Sequence, residues 1–525
     1  MNQLHFPILS LITFIPLIGA FFIALINEKN EQTIRVVTFI VLLIDFVVSL
    51  PLFFAFDSST FHMQFVEKVP WIQSLGIQFY FGLDGISLFL VLLTTFLTPL
   101  AQLSTWSAVK DKVKLFNIVI LLLQTGMLGV FVSLDMFLFY VFWEFQLIPM
   151  YLMIGIWGGP NRVFATMKFF LYTFAGSVFM MVAIMALYFL HHSVTGEYTS
   201  NMIQLMSTPL PAHMQFWLFL AFFIAFAIKV PMWPFHTWLP WAHVEAPTAG
   251  SVLLAGILLK MGTYGFLRFN LPMFPTMTHT FSTLVLIMAL IGIFYGAFVA
   301  MVQPDIKKLV AYSSVSHLGY SMLGMFALTQ IGLEGSILQM VNHGISTGAL
   351  FLIVGVVYER RHTRLISEYG GLASLVPVYA AFFMIFTLSS IAVPGTNGFI
   401  GEFMILWGTF QSHPLYAIIV AFGGIFSAVY MLTMYKRVIF LKVTNPKNIG
   451  LKDMNKREWA YLLPLILFVF WIGVYPNTFL SRMSVSVHHL LEQVNRPANI
   501  SVNIDNQVST ANLSKIIAVK KVKGS

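Results

Sequence analysis

FIAFAIKVPMWPFHTWLPWAH, residues 223–243, decides how the rest of the chain is read. An apolar helix carries a single cation, Lys229, and then meets Pro231, Pro234 and Pro240. Each proline removes a backbone donor and its ring crowds the preceding turn, so the helix must break. His236 and His243 follow, seven residues apart. Lipid cannot satisfy backbone groups released by a break, so this segment must face other helices or internal water. It reads as a discontinuous membrane helix with a charge at the discontinuity.

The surrounding composition supports that reading. Of 525 residues, 58% are hydrophobic and 9% charged, and mean hydropathy is +0.84. A soluble chain of this length needs far more charge to coat its surface. Apolar runs of the ~20 residues that cross a ~30 Å hydrocarbon core recur throughout. The first, PILSLITFIPLIGAFFIALI (7–26), is one of many and not a signal peptide. Fourteen spans are expected near 7–26, 33–56, 82–105, 115–133, 135–156, 165–190, 214–235, 248–269, 278–301, 307–328, 334–358, 374–410, 415–440 and 458–480. The twelfth holds a second break, IAVPGTNGFIGE (391–402). The absence of cysteine excludes disulfides, iron–sulfur clusters and thiolate metal sites from this chain. The net charge of +9 sits mainly in membrane-flanking loops, so the expected partner is a lipid bilayer and not nucleic acid.

Loop charges predict orientation. VKDKVK (109–114), PDIKK (304–308), ERRHTR (359–364) and the basic stretch 436–457 all fall in odd-numbered connections. Even-numbered connections hold only Lys68 and Arg268. The positive-inside rule then places odd connections in the cytoplasm and both termini outside. The basic tail KIIAVKKVKGS (515–525) runs against this, but it lies far from the last span, where the rule weakens.

Spacing also suggests a repeat. Glu144 and His317, mid-span in spans five and ten, are 173 residues apart, as are Lys229 and Glu402 in the two broken spans. Two units of five helices, the second inverted, would produce these offsets. The predicted organisation is an all-α polytopic membrane protein. Residues 1–110 form spans one to three, 111–270 the first five-helix repeat, and 271–441 the inverted second repeat. Residues 442–482 supply a cytoplasmic loop and span fourteen, and 483–525 a hydrophilic tail.

Glu144 lies nine residues into its span, ~14 Å deep at 1.5 Å per residue. Lys229, Lys260, His317, His343 and Glu402 lie at comparable depth. An acid or lysine there costs ~2.5–3.5 kcal/mol on insertion scales. A lone intramembrane histidine is often only a packing residue, and one Glu–Lys pair is often only structural. Six such groups at one depth, on both repeats, point instead to a polar track that passes protons. Asp84 and Asp135 read as caps at span starts, and Asp45 and Lys168 as groups near span ends that snorkel or pair locally. No dinucleotide fingerprint, phosphate loop or metal-ligand spacing occurs, so no cofactor or metal is expected in this chain.

VFWEFQLIPMYLMIGIWGG (141–159), AFAIKVPMWPFHTWLPWAHVEAPTAGSVLLAGILLKMGTYG (225–265) and QPDIKKLVAYSSVSHLGYSMLG (303–324) strongly resemble the antiporter-like, proton-translocating membrane subunits of respiratory complex I. The resemblance covers essentially all the spans. Glu402 is an acid where the L and N branches usually carry lysine, and no long lateral helix follows, so the likeness is to the M branch, or chain 4 type. It implies that Glu144 and Lys229 form a pair, that Lys260 is the central relay, and that Glu402 is the exit-side acid. It places His236, His317 and His343 in the wet track, and His243 follows as a further relay candidate on the same segment. It further implies a bacterial inner-membrane complex with L-type and N-type neighbours. FMN, iron–sulfur clusters and quinone would belong to partner subunits. The alternatives are a subunit of a multi-subunit Na⁺/H⁺ antiporter, whose counterpart of Glu402 is typically lysine, or of an energy-converting hydrogenase.

Overall fold

The computed structural model describes residues 4 and 6–496. The chain is almost entirely helical. In order it forms α1 (Ile8–Leu25), α2 (Glu31–Phe54), α3 (Leu88–Ser104), α4 (Val113–Val132), α5 (Met136–Trp157), α6 (Arg162–Thr195), α7 (Ala212–Lys229), α8 (Leu239–Glu245), α9 (Thr248–Met273) and α10 (Pro275–Met301). There follow α11 (Ile306–Phe326), α12 (Gln330–Arg361), α13 (Pro377–Ser390), α14 (Asn397–Ser412), α15 (Pro414–Phe440), α16 (Lys456–Val474) and α17 (Asn477–Val494). Among the described residues, eleven helices are long and apolar enough to cross a membrane, and α3 and α13 are shorter apolar helices.

The most apolar-looking helices are not the most central. Every residue in the most apolar windows of α9 and α12 is buried within the protein, whereas α2, α6 and α15 bury only about a third of theirs. The latter turn Phe, Leu and Val outward, as lipid-facing helices do. α9 and α12 pack against each other, α12 also against α11 and α14, and α9 against α3. Polar side chains on α9 and α12 are therefore withdrawn from lipid on all sides.

Helix starts are set by short polar side chains. Asp135 accepts from the N–H groups of Phe137 and Leu138 at the start of α5, and Asp305 from that of Lys308 at the start of α11. Asn455 and Glu458 form a reciprocal capping box on α16. The first turn of α1 is capped from a distance. The Glu67 carboxylate accepts from the N–H groups of Leu9, at 2.7 Å, and Ser10, at 3.1 Å.

Four features depart from the sequence reading. A two-stranded antiparallel hairpin, β1 (Gln64–Ile72) with β2 (Ile77–Leu83), fills the connection after α2 and pairs Val69 with Phe79. Arg268 is not a loop charge. It lies buried in a π-helical turn of α9 and makes a bidentate ion pair with Asp84, at 2.7 and 2.6 Å. Asp45 does not snorkel, because it is fully buried midway along α2 and accepts a hydrogen bond from Gln124. The hydrophilic tail expected from residue 483 begins instead as the amphipathic α17, whose Phe479, Met483, Val487, Leu490 and Val494 are buried. The rest of that tail, with its basic end, lies outside the described residues.

The four basic segments converge at one end of the bundle. Ser107 bonds Glu359 at 2.9 Å and Arg457 at 2.8 Å, Arg360 bonds Glu458 at 2.7 Å, and Arg364 meets Asp305 at 3.1 Å. The hairpin and residues 199–202 meet at the opposite end, where Asp135 bridges to Asn201.

Candidate functional site

The centre of the site is built on the two wholly buried helices. α9 contains a π-helical turn over Leu254–Leu258, a widening often found at functional sites. Lys260 follows that turn, and its Nζ donates to the Ala255 carbonyl within it. The same Nζ lies 2.6 Å from His343 Nδ1 on α12. The His343 and His317 rings meet edge to face with centroids 6.1 Å apart. His317 Nδ1, on α11, is 3.1 Å from Glu402 Oε1, and its Nε2 is 3.3 Å from Ser390 Oγ. A cavity of about 10 Å³ is lined by both histidines, with Asn342, Ser346 and Ser390 among its other walls. That is about the smallest space a water needs, and its walls supply polar partners. Lys260, His343, His317 and Glu402 thus form one line across three helix interfaces.

The second break is fastened by a polar knot. Residues 391–396 separate α13 from α14. Asn397 begins α14, and its Oδ1 accepts from Ser389 Oγ at 2.6 Å while its Nδ2 donates to Ser346 Oγ at 3.0 Å. Asn342 Nδ2 donates to the Asn397 carbonyl at 2.8 Å, and Gln339 Nε2 to Glu402 Oε1 at 3.3 Å. These bonds tie the start of α14 to α12 and to the end of α13. They also hold Glu402, on the second turn of α14, against His317.

The first break is arranged differently. Lys229 is the last residue of α7, at the end of a half-helix where the partial negative charge of the backbone favours a cation. Its Nζ is 5.3 Å from the centroid of the Trp143 ring and has no hydrogen-bond partner among the described residues. The expected pair with Glu144 is not closed. No ion pair within 4 Å joins the two, and Glu144 Oε1 also lacks a hydrogen-bond partner. Glu144 remains an electrostatic neighbour of Lys229, with Ser177 and Tyr140 also beside its carboxylate. The Trp143 ring beside Lys229 packs edge to face against Phe226, 5.6 Å between centroids. Gly262, two residues past Lys260, lets the end of α7 press on α9, for a Cβ there would lie 2.7 Å from Val230 N.

His236 and His243 flank this region without joining the line. The His236 ring meets Tyr295 edge to face at 4.8 Å, and its Nδ1 is unpartnered. His243 stacks on Phe351 at 4.6 Å, and neither ring nitrogen has a partner among the described residues. Its charged neighbours are Lys307 and Lys260. Lys307 is buried and donates to the Ala246 carbonyl at 2.5 Å. Sequence reasoning passed over Lys307, Gln339, Asn342, Ser390 and Asn397. Lys307 sits in a basic loop motif, and amides and hydroxyls are too common in membrane helices to stand out.

Comparison with known proteins identifies the family. Residues 133–427 match the family described as NADH:quinone oxidoreductase/Mrp antiporter, transmembrane. The chain is 47% identical over 502 residues to NADH-quinone oxidoreductase subunit M of Rhodobacter capsulatus, covering 92% of this chain and 96% of that one. It is 45% identical to NADH-ubiquinone oxidoreductase chain 4 of Marchantia polymorpha, over 92% of this chain and 97% of that one. Among solved structures it superposes on a chain of respiratory complex I from Thermus thermophilus with bound NADH, with a TM-score of 0.83 and 31% identity, covering 92% and 99% of the two chains.

Proposed function

Because this chain belongs to the family of membrane subunits described as NADH:quinone oxidoreductase/Mrp antiporter, we propose that it translocates protons as the M-type subunit of an NADH–quinone oxidoreductase. The observation that carries the reading is the line from Lys260 through His343 and His317 to Glu402. Each member can hold or pass a proton, and each stands within one hydrogen bond or one water of the next. Lys229 and Glu144 form the loading switch. While the carboxylate is near, the ammonium is stabilised; drawn apart in an apolar site, the lysine gives up its proton. Moving one charge against 100 mV takes ~2.3 kcal/mol, a size that opening or closing a partly buried charge pair can supply.

On this reading electron transfer occurs in other subunits, which carry FMN, iron–sulfur clusters and the quinone. The immediate partners are further membrane-arm subunits of L and N type. The setting is a bacterial inner membrane, with the basic end of the bundle in the cytoplasm and the N-terminus outside. The cation-antiporter and hydrogenase readings fit less well, because the extended high-identity likeness is to quinone oxidoreductase subunits.

The test is to purify the native assembly through a tag on this chain. It should contain flavin and iron–sulfur proteins, oxidise NADH with quinone, and acidify the lumen of inverted vesicles. Recovery with cation-antiporter subunits alone, without flavin, would overturn the proposal.

A further inference from the structure

A groove of about 540 Å³ runs down the side of the bundle between α2, α3, α12 and α16, and neither Glu144 nor Lys229 lines it. That is within the ~300–1,000 Å³ typical of ligand pockets. Its walls are aromatic and aliphatic, with Phe46, Phe53, Phe89, Phe96, Phe468 and Trp471 among them. One end is polar. There α17 begins, and Asn477, Thr478, Ser481 and Arg482 line the mouth beside Tyr475.

Arg482 gives the groove a charge. Its guanidinium stacks 4.0 Å from the Phe53 ring centroid, and its Nη1 donates to the Thr478 carbonyl at 2.7 Å. Among the described residues no carboxylate lies within 4 Å of it, unlike Arg268 and Arg360. The Arg482 side chain is half-buried. From Phe53 to Phe46 the groove descends two turns of α2, ~10 Å toward the interior. Trp471 and Tyr475, at the end of α16, flank the mouth, and rings of this kind favour the membrane–water interface.

We propose that this groove binds one anionic phospholipid, with an acyl chain between α2, α3 and α16 and the phosphate on Arg482. A neutral apolar ligand would leave the guanidinium without a counter-charge, and a soluble anion would leave the aromatic groove below it unfilled. The floor includes Val341 and Ile345, the neighbours in sequence of the α12 turn that carries His343. A hydrocarbon chain there would cover the one place where the groove reaches α12.

The proposal is tested on the intact complex, delipidated in detergent and titrated with dioleoyl phosphatidylglycerol or dioleoyl phosphatidylcholine, with retained lipids counted per complex by mass spectrometry. The native complex should retain one phosphatidylglycerol more than the Arg482→Gln complex. That variant's affinity should fall by about fivefold, the scale of one basic residue's attraction to an anionic lipid surface. Arg482→Lys should retain the lipid, and Leu92→Trp, which fills the groove, should expel it without altering the charge. A photo-crosslinking residue in place of Phe54 should label phospholipid. Equal retention by native and Arg482→Gln complexes, equal binding of phosphatidylcholine, or crosslinking of Phe54 to a neighbouring protein would each overturn the assignment. Should Arg482→Gln fail to assemble, the Leu92→Trp count decides.

Discussion

Lys229 and Glu144 stand as an open pair, with the ammonium over the Trp143 indole and without a hydrogen-bond partner among the described residues. Removing the carboxylate leaves a buried cation without a counter-charge, which favours neutral lysine and stalls loading. Glu144→Ala should therefore assemble normally yet lose at least about tenfold in both NADH–quinone turnover and proton uptake, equivalent to ~1.4 kcal/mol. Glu144→Asp keeps the charge and should retain much of the activity. Lys229→Ala should resemble Glu144→Ala, with the double variant no worse, since both changes disable one switch. The check is proton uptake by inverted vesicles, normalised to assembled complex; normal pumping by Glu144→Ala would reduce Glu144 to a packing residue. These side chains were legible in the sequence because a charge inside an apolar run is costly. Their distances were not, for nothing in the order of residues fixes how α5 and α7 lie against each other or brings the Trp143 ring to the Lys229 ammonium.

At the scale of elements, the hairpin, α3 and α9 are tied together by the buried pair of Asp84 and Arg268. Asp84 follows β2 directly and accepts from the N–H groups of Ile86 and Ser87 ahead of α3, while Arg268 closes α9. Breaking one side of such a pair strands a charge at a cost of about 3–5 kcal/mol, whereas replacing both by apolar groups is often neutral. Asp84→Ala should accordingly lower the amount of assembled complex in membranes, and Asp84→Ala with Arg268→Met should restore much of it. Immunodetection of the assembled complex on native gels checks both; equal loss in single and double variants would show that the pair is not what joins these elements. From sequence, Asp84 was legible as a cap, but Arg268 looked like a loop charge because 184 residues separate it from its partner. Likewise the Pro-Gly break in 391–402 was visible, while the Asn397 knot that secures it required α12 to be laid alongside.

For the whole molecule, the convergence of residues 109–114, 304–308, 359–364 and 436–457 at one end makes topology testable. A reporter fused after Arg361 should be cytoplasmic, and one placed in the Glu197–Ser207 segment exterior. The opposite result for both, read by paired alkaline phosphatase and fluorescent-protein fusions, would invert the orientation. By itself the sequence determined the solvent of this protein, the positions of its helices and breaks, and which charges lie within apolar runs. Those follow from local free energies, since each span must bury its backbone and each proline must break its helix, whatever lies beside it. Only the tertiary structure decided which helices are central, which charges meet and which remain apart. α9 and α12 are no more hydrophobic than α2 or α10, yet they alone among these are enclosed throughout. In lipid, apolar helices gain little from water exclusion and associate through close packing and polar contacts. Which helix becomes the core therefore depends on side-chain fit across many helices at once. That fit brings Lys260 to His343 and His317 to Glu402, and it keeps Glu144 from closing on Lys229.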